Sequence, residues 1–291
     1  MISFFRSRKK INIDHLKTNI INKPLVPIFI IGVLRSGTTL LRIILDSHSK
    51  IVAPSETPWI LGGYGDNSVR QLSQFLVDDK WGPVQNLPDV DENIILHATR
   101  CFISEIFTPI IRNKNKDILV LKTPQDIKYL EFLLSLYPIS KYIHIFRDGR
   151  DSACSLVENK SQVFGAIDDY GELNHLNAFK RWYDWELKIR KLLDEKDKIK
   201  IRIKYEDLVT KPESTLKVVC DFIGVDFEPE ILNYSKFNHT LPKWEAGTYD
   251  LEHKKSIDDS SIGRWKEHFK DEETVYIQKH YGKFLKSLGY T

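Results

Sequence analysis

Cysteine is scarce in this chain of 291 residues. Cys101, Cys154 and Cys220 form an odd, widely spaced set. Such a set does not make a disulfide framework, so a reducing compartment and a cytoplasmic location are expected. No Cys/His spacing fits a zinc site, and no Ser-His-Asp arrangement can be assembled without guessing. Neither sign of charge is in excess: Lys plus Arg number 43 against 40 for Asp plus Glu. That balance leaves no electrostatic footprint for nucleic acid, so any basic function must be local. No apolar stretch approaches the ~20 residues that cross a bilayer, and no transmembrane segment is expected. The basic start (Arg6, Arg8, Lys9, Lys10) has no adequate apolar region after it, which argues against a signal peptide. Internal repeats and low-complexity tracts are also missing.

What is present is an alternation of apolar, β-branched runs with segments of helical period. Runs at 27–32, 50–53, 117–122, 141–147 and 199–205 read as strands. Helices are expected at 37–47, 93–112, 149–158, 175–195 and 271–288. Another is capped by Thr210, carries Pro212 in its first turn and ends at Gly224. Strands alternating with helices predict an α/β fold with a central, mostly parallel sheet flanked by helices. Residues 1–23 read as a lead-in and 24–291 as one domain. The segments 62–65 and 237–261 read as mobile and irregular. Cys154, Cys220 and His144 are expected in the core, and His48 in a turn.

The first strand runs into Gly32-Val33-Leu34-Arg35-Ser36-Gly37-Thr38-Thr39-Leu40. Two glycines bracket four residues between a strand and a helix, which is the outline of a phosphate-binding loop. Backbone N–H groups of such a loop and of the following helix converge on one anion. The Lys that a nucleoside-triphosphatase carries after the second glycine is replaced by Thr38. The basic residue stands upstream instead, at Arg35, suited to a bridging oxygen or a leaving group. Three further strands also end in polar clusters: Ser55-Glu56-Thr57, Lys122-Thr123 and Arg147-Asp148-Gly149-Arg150. Four clusters at one sheet edge, three of them basic, describe a site for a polyanion. Asp148 has the position of a magnesium carboxylate, but Arg147 and Arg150 flank it and are expected to absorb its charge.

The run Arg35-Ser-Gly-Thr-Thr-Leu40 resembles the 5′-phosphosulfate loop of sulfotransferases, which use 3′-phosphoadenosine-5′-phosphosulfate (PAPS) and share the P-loop nucleotide-hydrolase fold. With Arg at 35, it is nearer to tyrosylprotein sulfotransferases and their bacterial relatives than to the cytosolic small-molecule enzymes. Arg147 through Ser155 resembles the family's 3′-phosphate motif, Tyr205-Glu-Asp-Leu208 its nucleotide-side segment, and Gly263-Arg264-Trp265-Lys266 its closing loop. The resemblance spans about residues 25–290. It implies that Ser36, Gly37, Thr38, Thr39 and Leu40 hold the 5′-phosphate. It assigns Arg147 and Ser155 to the 3′-phosphate, with Tyr205 and Arg264 nearby. Arg35 and Lys122 would stabilise the leaving phosphate, and Glu56 would be the general base. No metal is expected. The acceptor is left open among peptide, lipid, sugar and small metabolite, framed by the loops at 58–65, 163–176 and 237–251 with Trp59, Phe164 and Trp244 as apolar candidates. Oligomeric state is not readable. The rival readings are a magnesium-dependent P-loop kinase and a non-catalytic nucleotide-binding module.

Overall fold

The structure, a computed structural model, describes residues 23–62, 67–158, 172–194, 199–237, 239 and 257–291. The lead-in and parts of the loops at 62–65, 163–176 and 237–261, with Phe164 and Trp244, lie outside the described residues.

Five strands pair in parallel: β1 (Ile28–Ile31), β2 (Ile51–Val52), β3 (Ile118–Lys122), β4 (Tyr142–Phe146) and β5 (Lys200–Lys204), in the order β2-β3-β1-β4-β5. The first strand by sequence is therefore the central one. Its four residues are all buried, as a strand covered on both faces requires. Alternation sends Phe29 and Ile31 to one apolar layer, and Ile28 and Ile30 to the other. In β4, Tyr142 and Phe146 join the first layer and Ile143 and Ile145 the second. Each such side chain contributes about 1.5–3 kcal/mol on leaving water.

The helices are α1 (Thr38–Asp46), α2 (Pro58–Leu61), α3 (Val69–Asp78), α4 (Pro83–Asn86), α5 (Glu92–Lys114), α6 (Leu130–Leu136), α7 (Gly149–Glu158), α8 (His175–Leu193), α9 (Tyr205–Thr210), α10 (Pro212–Ile223), α11 (Trp265–His268) and α12 (Asp271–Ser287). Short tight helices also cover Pro124–Tyr129 and Pro229–Lys236. Cys154 and Cys220 are buried, and burial pushes their thiols up to about 12 and about 11. His144 is a core histidine held by Glu186 at 3.1 Å, and His48 sits in a turn against the Asp226 carbonyl at 2.9 Å.

Two expectations need correction. The strand at 199–205 stops at Lys204, and Tyr205 opens α9. Thr210 does not cap the next helix. Its hydroxyl donates back to the Glu206 carbonyl at 2.7 Å inside α9, and Lys211 is the cap residue before α10, with no side-chain cap bond. In addition, α5 extends over 23 residues and is long and apolar enough, by length and composition, to cross a membrane. One of its faces, including Leu96, Ile103, Phe107 and Ile111, packs into the core.

Candidate active site

The strand order separates the four polar clusters into two flanks. The loop after β1 is central. Glu56 after β2 and Lys122 at the end of β3 lie on one side of it. Arg147 after β4 and Tyr205 after β5 lie on the other. All stand at the carboxyl edge of the sheet, where open α/β proteins bind ligands.

The loop's shape comes from local steric conditions. Gly32 leaves β1 so close to β4 that a Cβ there would meet the Ile145 carbonyl at 2.5 Å. Gly37 caps α1 with φ of 90°, and a Cβ there would meet the Tyr205 ring at 2.4 Å. Glycine is required for both the left-handed backbone and the close ring. Arg35 adopts φ of 69°, an uncommon conformation for a residue with a side chain. Such outliers collect at ligand sites.

On the first flank, the Lys122 ammonium donates to the Thr39 hydroxyl at 2.9 Å and forms an ion pair with the Glu56 carboxylate. The Lys122 side chain is fully buried and that of Glu56 nearly so. The Thr57 amide donates to the Thr123 hydroxyl oxygen at 3.0 Å. Two adjacent cross-strand links thus tie the end of β2 to the end of β3.

On the second flank, Arg35 Nε donates to Ser155 Oγ at 2.9 Å. Arg147 lies over the Tyr205 ring at 4.4 Å and donates to the Arg35 carbonyl at 3.3 Å and to the Ser261 carbonyl. Arg264 pairs with Glu158. Three guanidinium groups therefore crowd this side. Burial, then repulsion from Arg147 and Arg264, pulls Arg35 down to about 10, against the opposing attraction of Glu158. Buried cations that depress one another favour an anion between them. Ser36 Oγ and Arg147 Nε are buried without a hydrogen-bond partner, so the cradle retains a donor-acceptor hydroxyl and a charged donor for phosphate oxygens. These residues form a cradle that suits an anion.

The model of the sulfotransferase family matches residues 27–229 of this sequence. The chain belongs to the sulfotransferase family. It is 28% identical over 215 residues to protein-tyrosine sulfotransferase A of Caenorhabditis elegans, covering 72% of this chain and 52% of that protein. It is 25% identical over 279 residues to protein-tyrosine sulfotransferase 2 of Gallus gallus, covering 92% of this chain and 70% of the other. Among solved structures, the sulfotransferase domain from the curacin biosynthetic pathway superposes with a TM-score of 0.64 at 25% identity, covering 92% of this chain and 99% of that domain. A mouse sulfotransferase complexed with PAP shares the fold at a TM-score of 0.52 and 15% identity, covering 89% and 84% of the two chains. The chain is thus a transferase with the P-loop fold of sulfotransferases, similar to the protein-tyrosine branch.

The sulfotransferase residues expected from sequence fall into the two flanks. Glu56, Lys122 and Thr39 share one; Arg35, Arg147, Ser155 and Tyr205 share the other, with Arg264 close enough to repel Arg35. Ser36, Gly37, Thr38 and Leu40 form the loop and first helical turn between them. Arg35 and Ser155, assigned to opposite ends of the ligand, are bonded to each other. Asp148 is engaged by Arg150 through contacts of 2.7–3.2 Å, as its flanks predict. Trp59 is half-buried and stacks on Phe107 at 5.8 Å.

Two contributors escaped sequence reasoning. Asp151 accepts the Gly263 and Trp265 amides at 2.8 and 3.0 Å and fastens the 263–265 segment to α7. Asp126 is buried in the tight helix after β3. The only sequence signal for Asp126 was an acidic residue one short turn after Lys122-Thr-Pro.

Proposed function

We propose that this sulfotransferase moves the sulfuryl group of PAPS to an acceptor hydroxyl, with Glu56 as general base. In this reading the acceptor oxygen attacks sulfur, and the bond between sulfur and the phosphate oxygen breaks. The acceptor proton passes to Glu56, and adenosine 3′,5′-bisphosphate leaves. Arg35 and Lys122 offset charge on the departing phosphate, an electrostatic role like that in phosphoryl transfer. Ser36 to Leu40 bind the 5′ end. Arg147 and Ser155 bind the 3′-phosphate, with Tyr205 and Arg264 beside them. Binding would exchange the bond between Arg35 and Ser155 for bonds to the ligand.

The observation that carries this reading is the division of the site. A carboxylate and an ammonium lie against Thr39 on one flank, and a crowded guanidinium cluster with unpartnered Ser36 Oγ and Arg147 Nε lies on the other. A module that only bound nucleotide would have no need of the Glu56 carboxylate. The names of the relatives make a tyrosine phenol in a protein the first acceptor class to test. The reading takes 24–291 as one catalytic domain after a lead-in at 1–23, in a reducing, cytoplasmic setting suited to three free thiols.

Calorimetric titration tests the donor assignment. Adenosine 3′,5′-bisphosphate should bind without metal, and Arg147→Ala should weaken it by about 10- to 100-fold, the loss of a charge-assisted contact. Binding of ATP alone, and only with magnesium, would replace this reading with the kinase. Glu56→Gln should keep bisphosphate affinity while turnover of PAPS with a tyrosine peptide falls by about 100- to 10,000-fold.

A further inference from the structure

Asp151 stands in the first turn of α7 and is buried, with 1% of its surface exposed. Its Oδ2 accepts the Gly263 amide at 2.8 Å and its Oδ1 the Trp265 amide at 3.0 Å. One carboxylate therefore grips the backbone on both sides of Arg264. Gly263 turns the chain there with φ of 74°, and the segment leads into α11, a helix of four residues. A segment with so little regular structure is held by side chains that bond its backbone. Its other holds on α7 are through side chains: Arg150 lies over the Trp265 ring at 3.9 Å, and Arg264 pairs with Glu158.

The same segment reaches Arg147. The Ser261 carbonyl accepts Nη2 of Arg147, and the Arg35 carbonyl accepts Nη1 at 3.3 Å. The Tyr205 ring lies against the face of the guanidinium at 4.4 Å. Two carbonyls and a ring thus fix the plane of a rigid, flat group. Nε is left buried without a hydrogen-bond partner, as the donor that remains for a ligand oxygen. Of these three supports, Arg35 belongs to the loop after β1 and Tyr205 to α9. The Ser261 carbonyl is supplied by the segment that Asp151 anchors.

We propose that Asp151 is a positioning residue for the Arg147 guanidinium, acting through the Gly263 and Trp265 amides and the Ser261 carbonyl, and that it thereby sets the affinity of the site for a 3′-phosphate. The inference rests on the reading of Arg147 as the 3′-phosphate residue. Both Asp151 oxygens are engaged by backbone amides, so the carboxylate places the segment and does not compete with phosphate for Arg147. Without it, Trp265 and Arg264 can stay against α7 while the backbone that carries Ser261 shifts. Arg147 then keeps its charge and loses its orientation.

The test compares the full chain with its Asp151→Ala, Asp151→Asn and Arg147→Ala variants and the Asp151→Ala, Arg147→Ala double variant. Calorimetry measures adenosine 3′,5′-bisphosphate beside adenosine 5′-phosphate, which lacks the 3′ group. Asp151→Ala should weaken the bisphosphate by about 5- to 20-fold, part of the value of a charge-assisted contact, and the 5′-phosphate by less than about twofold. Asp151→Asn turns one acceptor into a donor that faces an amide, and should weaken the bisphosphate by at least about threefold. In the Arg147→Ala background the Asp151→Ala loss should shrink to about twofold or less, because the group being positioned is gone. Turnover of PAPS should show a raised KM with kcat kept within about threefold. In the ligand-free protein, the NMR signal of the Arg147 Nε–H, identified by its loss in Arg147→Ala, should shift or broaden in both Asp151 variants. Equal losses for the two nucleotides, a full Asp151 effect in the Arg147→Ala background, or unchanged bisphosphate affinity in both Asp151 variants would overturn the proposal. Intact bisphosphate affinity in Arg147→Ala would instead overturn the 3′-phosphate assignment. The Nε–H signal then still decides, and a signal unmoved in both Asp151 variants overturns the positioning role.

Discussion

At Glu56 and Lys122, two opposite charges are held together out of water. Such a pair adds little to net stability, because desolvation offsets the attraction, but removing one member leaves a buried charge alone. Lys122→Met should therefore cost about 3–5 kcal/mol at neutral pH. Adding Glu56→Gln should recover a large part of that cost. Urea unfolding of the two single variants and the double variant measures the coupling; strictly additive losses would mean that the two side chains do not depend on each other. The pairing itself was not legible from either residue alone, because it joins the ends of two strands. Lys122 ends its strand as many lysines do, and only its place against Thr39 and Glu56 distinguishes it.

At the scale of elements, the strand-to-helix turns were legible because each is contiguous in sequence. The run from Ile28 to Asp46 carries its own strand, loop and helix, and both glycines stand where the backbone needs them. The segment at 261–265 was only partly legible. Its motif was visible, but its attachment through Asp151 was not, since the bonds span 112 and 114 residues. Trp265 also covers Arg150 at 3.9 Å, and Arg147 reaches the Ser261 carbonyl. Asp151→Ala removes the acceptor for two backbone amides and should destabilise the protein by about 1–3 kcal/mol. Hydrogen exchange should locate the effect: the Gly263 and Trp265 amides lose protection while those of β1 and β4 keep it. Uniform loss across the sheet would show instead that Asp151 supports the whole core. The start of α9 at Tyr205 was misread for a related reason. The ring turns into the site against Gly37 and Arg147, and local propensity carries no information about that contact.

Over the whole molecule, the core contains a charged group that links stability to pH. Glu186 is fully buried between His144 at 3.1 Å and Arg190 at 2.7 Å. Burial alone would raise its carboxyl, but those two partners outweigh it and hold the group below its ordinary 4.5. A depressed acid contributes stability that is present above the ordinary value and lost as pH falls through the lowered one. The wild-type chain should lose stability from about pH 5 downward. Glu186→Gln should flatten that part of the profile while lowering stability at pH 7. Denaturant midpoints at successive pH values test this, and an unchanged acid limb in the variant would exclude Glu186 as a source. This network links α8 to β4 through the bond between Glu186 and His144.

The sequence by itself determined the alternation of strands and helices, the phosphate loop with its displaced basic residue, and the two anion motifs. Each of these is written within a dozen or so neighbouring residues, where period and turn chemistry act directly. Tertiary structure alone decided that β1 is central, and hence that Glu56 and Lys122 face one flank while Arg35, Arg147 and Ser155 face the other. It also decided that the Thr57 amide meets the Thr123 hydroxyl across β2 and β3, and that Asp151 holds the 263–265 segment. Strand order and long-range pairing arise from which apolar faces bury best together, and that balance belongs to the whole chain rather than to any stretch of it.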